Sequence, residues 1–308
     1  MELTMQKYRS FLIILVMMLI AGNAWAKGSS LLFKGTWGKE VNQLGIVLPS
    51  PGVLPVAMYQ SIGGYDVDTE GGFWFSDSVN GMLKCYKDAG WSYIMLSYGK
   101  LGDIACFNKK IYVLTREPDG IAVIDPEKGK VEQHFKIALQ NPGRIKIVSP
   151  HLFLIEEREA GLLIWKKGTA NLHPATALEA AAAANRIFGV QFDFIADLRS
   201  VIAAEIADEV QEPEMFGLYE AGEPVIFIKT AGTHGLQPVI MFVTRSSPGE
   251  IHFVKLGENA SPQKRISLPV LDGPHLTASW KLCSDGRLYG LHGSATDGFK
   301  VYLSDDNF

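Results

Sequence analysis

Gly64-Tyr65-Asp66-Val67-Asp68, Thr69-Glu70-Gly71-Gly72, Phe73-Trp74-Phe75-Ser76-Asp77, Ser78-Val79-Asn80-Gly81, Met82-Leu83-Lys84-Cys85-Tyr86, Lys87-Asp88-Ala89-Gly90, then Trp91 to Ser97: here apolar-rich runs alternate with clusters of Gly, Asn and Asp. Short runs rich in aromatic and β-branched side chains, bounded by turn residues, read as strands joined by tight hairpins. The stretch therefore predicts four antiparallel strands in about 35 residues, which is the content of one propeller blade.

Working outward, the phrase of apolar triplet, polar turn and second apolar run occurs six times. Besides Phe73–Phe75 with Met82–Tyr86, it reads Ile111–Leu114 with Ile121–Ile124, Leu152–Ile155 with Leu162–Trp165, and Val201–Ala204 with Met215–Tyr219. The last two copies are Val239–Val243 with Ile251–Val254, and Leu288–Leu291 with Phe299–Tyr302. Self-similarity at a period of about 40–50 residues, built from strands and turns, marks a radial array. The expected architecture is all-β, a six-bladed β-propeller of four-stranded antiparallel blades, as one domain over residues 27–308. One interruption is expected: the alanine-rich stretch from Pro174 to Asn185 predicts a short helical insertion over residues 174–186, with Pro174 at its start. The run Pro224–Ile228 reads equally as the end of the fourth unit or the start of the fifth. The sixth unit offers only three strands, Leu276–Leu282, Leu288–Leu291 and Phe299–Leu303. The unassigned run Leu31–Gly38 is expected to supply the missing strand, covering an edge that would otherwise stay open.

The run Leu31-Leu32-Phe33-Lys34-Gly35-Thr36-Trp37-Gly38 followed by Gly45, and the run Tyr65 to Asp77 with Asn80-Gly81, resemble the NHL-type repeat of six-bladed propellers. That resemblance implies the same propeller fold. It also brings in lactonases, lyases and amidating enzymes that use a metal in the central channel, without a residue motif that transfers to this chain.

Residues 1–26 carry the marks of a signal peptide: Lys7 and Arg9, an apolar run from Phe11 to Gly22, and Ala24-Trp25-Ala26 as a small-x-small cleavage site. The apolar run is shorter than the ~20 residues that span a bilayer. The mature protein is thus expected to be exported, periplasmic or extracellular, with no membrane span once the signal is removed, and a monomer. A net charge of −4 with no block of Lys and Arg argues against a nucleic-acid partner. Three scattered cysteines, Cys85, Cys106 and Cys283, read as buried thiols rather than a disulfide framework.

Chemistry is sparse. Asp66-x-Asp68-x-Glu70-Gly71 echoes a calcium loop, but no helix pattern flanks it, so the two aspartates read as solvent-side strand residues before a hairpin. Nucleophile-elbow, zinc-helix, phosphate-loop and dinucleotide motifs are absent from the sequence. The aromatic residues of the first half, Trp37, Tyr59, Trp74, Trp91, Tyr93, Tyr98 and Trp165, suit packing between blades. In a propeller the loops entering the innermost strands line one mouth of the channel. Here they place Asp103, Arg144, His234 and His275 as candidate binding residues. The expected role is a binding or scaffold module that recognises a protein or small ligand there, with no cofactor. The rival is a metal-dependent hydrolase or lyase, lactonase-like, holding a divalent cation at the same mouth.

Overall fold

In the computed structural model of the chain, every element among the described residues is a β-strand. Those residues are 28–47, 62–157, 161–166, 168–174, 225–234, 237–244, 246–257, 261–271, 279–294 and 297–308. The predicted signal peptide, most of the predicted helical insertion and the fourth repeat lie outside them. No helix among the described residues is long and apolar enough to cross a membrane.

Strands β1 (Ser29–Trp37) and β2 (Gln43–Leu44) come first. The stretch quoted above then forms one antiparallel sheet of β3 (Gly64–Val67), β4 (Phe73–Asp77), β5 (Met82–Lys87) and β6 (Gly90–Met95). A second sheet follows with β7 (Lys100–Phe107), β8 (Lys110–Arg116), β9 (Gly120–Asp125) and β10 (Lys130–Lys136). The third holds β11 (Pro142–Ser149), β12 (Leu152–Glu157), β13 (Gly161–Lys166) and β14 (Thr169–Pro174). The next is β15 (Val225–His234), β16 (Gln237–Thr244), β17 (Glu250–Leu256) and β18 (Pro262–Pro269). The last begins with β19 (Ser279–Leu282), β20 (Leu288–Ser294) and β21 (Gly298–Ser304). Tight hairpins make this possible: Asp88 and Ala89, and again Asn108 and Lys109, have the paired positive φ angles of a primed two-residue turn.

β1 completes the last sheet. It runs antiparallel to β21, with Ser29 opposite Ser304 and Gly35 opposite Phe299, and β2 adds a short parallel pairing at Thr36 and Trp37. Gly35 is required there, because a Cβ would stand 2.3 Å from the Phe299 ring. Two boundary expectations are settled by pairing. Pro174 is the last residue of β14, opposite Gly161, and the rest of the predicted insertion lies outside the described residues. The ambiguous run at residue 225 opens a sheet as β15 rather than closing the one before.

The first strands of successive sheets pack side by side, β3 against β7, β7 against β11 and β15 against β19. Apolar layers fill the spaces between sheets. One joins Trp74, Leu83, Ile104 and Val113; the next joins Leu114, Ile145, Phe153 and Trp165; another joins Val239, Phe253, Trp280 and Leu288. Between the last sheet and the β3–β6 sheet the layer is aromatic. There Phe33 of β1 stacks on Tyr86 at 4.1 Å and meets Phe73 edge-on at 5.5 Å. Four-stranded meanders in chain order, packed face to face, are the blades of a propeller. Of the aromatic residues named above, Trp74 and Trp165 are buried between blades, while Tyr93 is exposed and Tyr59 lies outside the described residues.

A strap after β1 fastens the last sheet to the β3–β6 sheet. Lys84 has no exposed surface, pairs with Asp77 at 3.0 Å and donates to the carbonyls of Glu40 and Gln43. Asp77 in turn accepts the Gly45 N–H at 3.0 Å. A Cβ on Gly45 would stand 2.5 Å from Val79 and 2.6 Å from the Asp77 carboxylate.

Candidate functional site

The innermost strands are covered on both faces, so a charge there loses water and must find partners within the protein. Asp66, in the middle of β3, is 2% exposed. Its Oδ1 accepts the N–H groups of Val67 and Ser284 at 2.9 and 2.8 Å, and its Oδ2 accepts the Cys106 N–H at 2.7 Å and the Ser284 hydroxyl. One carboxylate thus ties β3 to β7 on one side and to the turn after β19 on the other. This corrects the expectation that Asp66 faces solvent. Asp68 is placed as a turn residue: it accepts the N–H groups of Glu70 and Gly72 and the Trp74 indole N–H, each at 2.8 Å.

Asp103, near the start of β7, is also buried. Its Oδ1 accepts from Lys281 Nζ at 2.8 Å and its Oδ2 from the Ile145 N–H at 3.1 Å, so both oxygens are occupied by the protein. Lys281 reaches from β19 across the Tyr65 ring to Asp103, and it donates to the Ile104 carbonyl at 3.0 Å as well. Burial alone would lower the pKa of its ammonium; the carboxylates of Asp103 and Asp66 outweigh burial and raise it. Lys146 of β11 completes the group. It is half-buried, and its side chain forms no hydrogen bond or ion pair with a described residue. Burial lowers its pKa and Lys281 lowers it further, against an opposing pull from Asp66. Two acids and two amines from the first strands of four sheets therefore gather around one place.

The surroundings of the thiols favour their protonated form. All three are free and buried. Burial pushes Cys85 up to about 12 and holds Cys106 and Cys283 well above the ordinary thiol range, with Asp66 adding to the rise at the latter two. A cleft of about 190 Å³ lies between the β3–β6 and β7–β10 sheets, floored by Trp74, Cys106 and Ile111. Its rim is self-paired, with Glu70 bridged to Lys87 at 3.0 Å and to Lys109 at 3.7 Å.

Of the four residues expected at the channel mouth, Asp103 and Arg144 come together near the entering ends of neighbouring inner strands, β7 and β11. His234 does not join them: it is the last residue of β15, paired with Gln237 at the hairpin on the opposite end of its strand. His275 lies outside the described residues. Among the described residues no group of three or more His, Cys, Asp or Glu side chains is placed to hold a metal ion. The residues missed from sequence are Asp66, Lys146 and Lys281. The available signal was a charge in the middle of an otherwise apolar first strand, as in Gly64-Tyr65-Asp66-Val67.

No family model matches the chain, and no curated protein does. Solved structures similar to it include regucalcin from Agrobacterium tumefaciens, a calcium-binding protein, at 10% identity and TM-score 0.41, covering 79% of this chain and 89% of that one. Virginiamycin B lyase from Staphylococcus aureus is similar at 10% identity and TM-score 0.34, covering 78% and 69%. A nidogen/laminin complex is similar at 13% identity and TM-score 0.37, covering 86% of each. Likenesses this distant carry nothing about the chemistry of this chain, and its architecture rests on its own strand pairing.

Proposed function

We propose that this protein is an exported binding module: a closed, monomeric ring of six NHL-like blades that receives a small polar ligand at the mouth where its inner strands begin. Residues 1–26 are removed on export. The fourth repeat of the sequence, counted among the six, lies outside the described residues. The observation that carries the binding site is the charged quartet of Asp66, Asp103, Lys146 and Lys281, drawn from four inner strands. Groups so arranged are held rigidly by neighbouring blades, and a preorganised polar set inside an apolar frame is the usual make-up of a ligand site. Asp103 acts as a tie between blades, while Arg144 and His275 supply contacts at the rim.

The test is a ligand screen by native mass spectrometry on the mature protein, repeated on Arg144→Ala and His275→Ala. A ligand at this mouth is expected to lose about tenfold or more in affinity in at least one variant, equivalent to about 1.4 kcal/mol. Its binding should survive a chelator. Ligands that ignore both substitutions would refute the site, and binding abolished by chelation would favour the metal-dependent enzyme instead.

A further inference from the structure

We propose that the cleft between the β3–β6 and β7–β10 sheets is a second ligand site, which takes a small aromatic carboxylate. It lies at the far ends of β3 and β7, away from the mouth where those strands begin, and does not depend on the site proposed there.

The cleft cuts into an apolar layer. Trp74, Cys85, Cys106 and Ile111 are buried members of the layer between these two sheets, and all four line the cleft. Strand register explains the gap. Trp74 of β4 stands opposite Cys85 of β5, and Cys106 of β7 stands opposite Ile111 of β8. Each sheet thus sets one large side chain beside one small thiol, and the thiols leave room that a bulkier pair would fill. The space measures about 190 Å³. An apolar void of ~150 Å³ accepts benzene, so this one suits a single ring with a short side arm. Trp74 is fixed in advance, because its indole N–H donates to Asp68 at 2.8 Å. A wall already ordered costs little entropy when a ligand arrives.

The rim sets the charge of that side arm. Two ammonium groups share the carboxylate of Glu70, which lies 3.0 Å from Lys87 and 3.7 Å from Lys109 and is more than half exposed. The longer contact is beyond hydrogen-bond range, so Lys109 is held loosely. Lys110, by contrast, is fixed by Asp125 at 2.7 Å and Glu132 at 2.9 Å. Asp68 already accepts three N–H donors, and Glu127 stands in solvent on the turn after β9. A ligand carboxylate therefore competes only with the exposed Glu70 for Lys109 and Lys87.

The test titrates the mature protein with phenylacetate and, separately, with 2-phenylethylamine, followed by saturation-transfer NMR of the ligand ring. Phenylacetate should bind more tightly than the amine. Glu70→Gln frees both lysines and should tighten phenylacetate about two- to fivefold, the range of an exposed ion pair. Lys109→Asn keeps a residue that tolerates positive φ and should weaken phenylacetate by a similar factor. Both changes lie at the surface, and shifts in opposite directions do not arise from lost folding. Photolysis of 4-azidophenylacetate should label peptides holding residues 68–74 and 106–111, and Arg144→Ala should leave its binding unchanged. Phenylacetate that fails to bind, or binds alike in Glu70→Gln and Lys109→Asn, would overturn the proposal. So would tighter binding of the amine. Labelling elsewhere, or binding lost in Arg144→Ala, would move the ligand to the channel mouth and leave the cleft without a role.

Discussion

Lys84 is a long, charged side chain with no contact to water, held by one carboxylate and two carbonyls that belong to the strap after β1. Truncating one partner of a buried ion pair leaves the other charged and unsolvated, at a cost of about 3–5 kcal/mol. Lys84→Met should therefore lower the urea midpoint by that much stability, and adding Asp77→Asn should recover part of it by removing the stranded charge. An unchanged midpoint in Lys84→Met would show that the strap is held by something else. Neither this pair nor Asp66 was legible in the sequence, for one physical reason. A period-two reading assigns polar residues to a solvent face, but a blade packed between two others has none. In β4, Phe73 to Asp77, every side chain is buried, so the serine and the aspartate must be satisfied internally instead of pointing outward.

At the scale of elements, counting strands was enough to place β1. Three strands in the last unit and one unassigned run before the first unit leave a single economical arrangement, and the Ser29–Ser304 register realises it. Boundaries were less legible. Pro174, read from sequence as the start of an insertion, follows Thr169–His173 as the last residue of β14, where its missing N–H costs no ladder bond. His234 was misplaced because a glycine-flanked histidine looks the same at either end of a strand, and only the pairing with Gln237 tells which end it occupies. Deleting residues 27–38 removes β1 and with it Phe33, the centre of the aromatic layer beside Phe73, Tyr86 and Phe299. The truncated protein should melt well below the full mature chain and with the whole fold affected, as followed by circular dichroism. An unaltered melting temperature would refute the closing role of this strand.

For the whole molecule, the inner strands act as a hub in which distant parts of the chain share hydrogen bonds. Asp66 alone joins Cys106 of β7 to Ser284 after β19, across a sequence separation of 218 residues on the longer side. Asp66→Ala leaves the buried Cys106 N–H without its acceptor, at about 1–3 kcal/mol, and releases the turn at Ser284. Calorimetry should show a lower melting temperature within a single transition, because the hub couples the sheets; separate melting of the wild-type sheets would contradict that coupling. The pairing of β1 with β21 also has a meaning in time. β1 is made long before β21, so a chain synthesised only as far as β20 cannot pair these two strands. Until Gly298–Ser304 emerges, Phe33 has no Phe299 to meet, and the exposed Leu31 and Leu32 stand beside an unpaired backbone edge. Contacts of such long range are slow to form and leave edges open to wrong partners meanwhile. Closure of this sheet is therefore an event that waits on both strands.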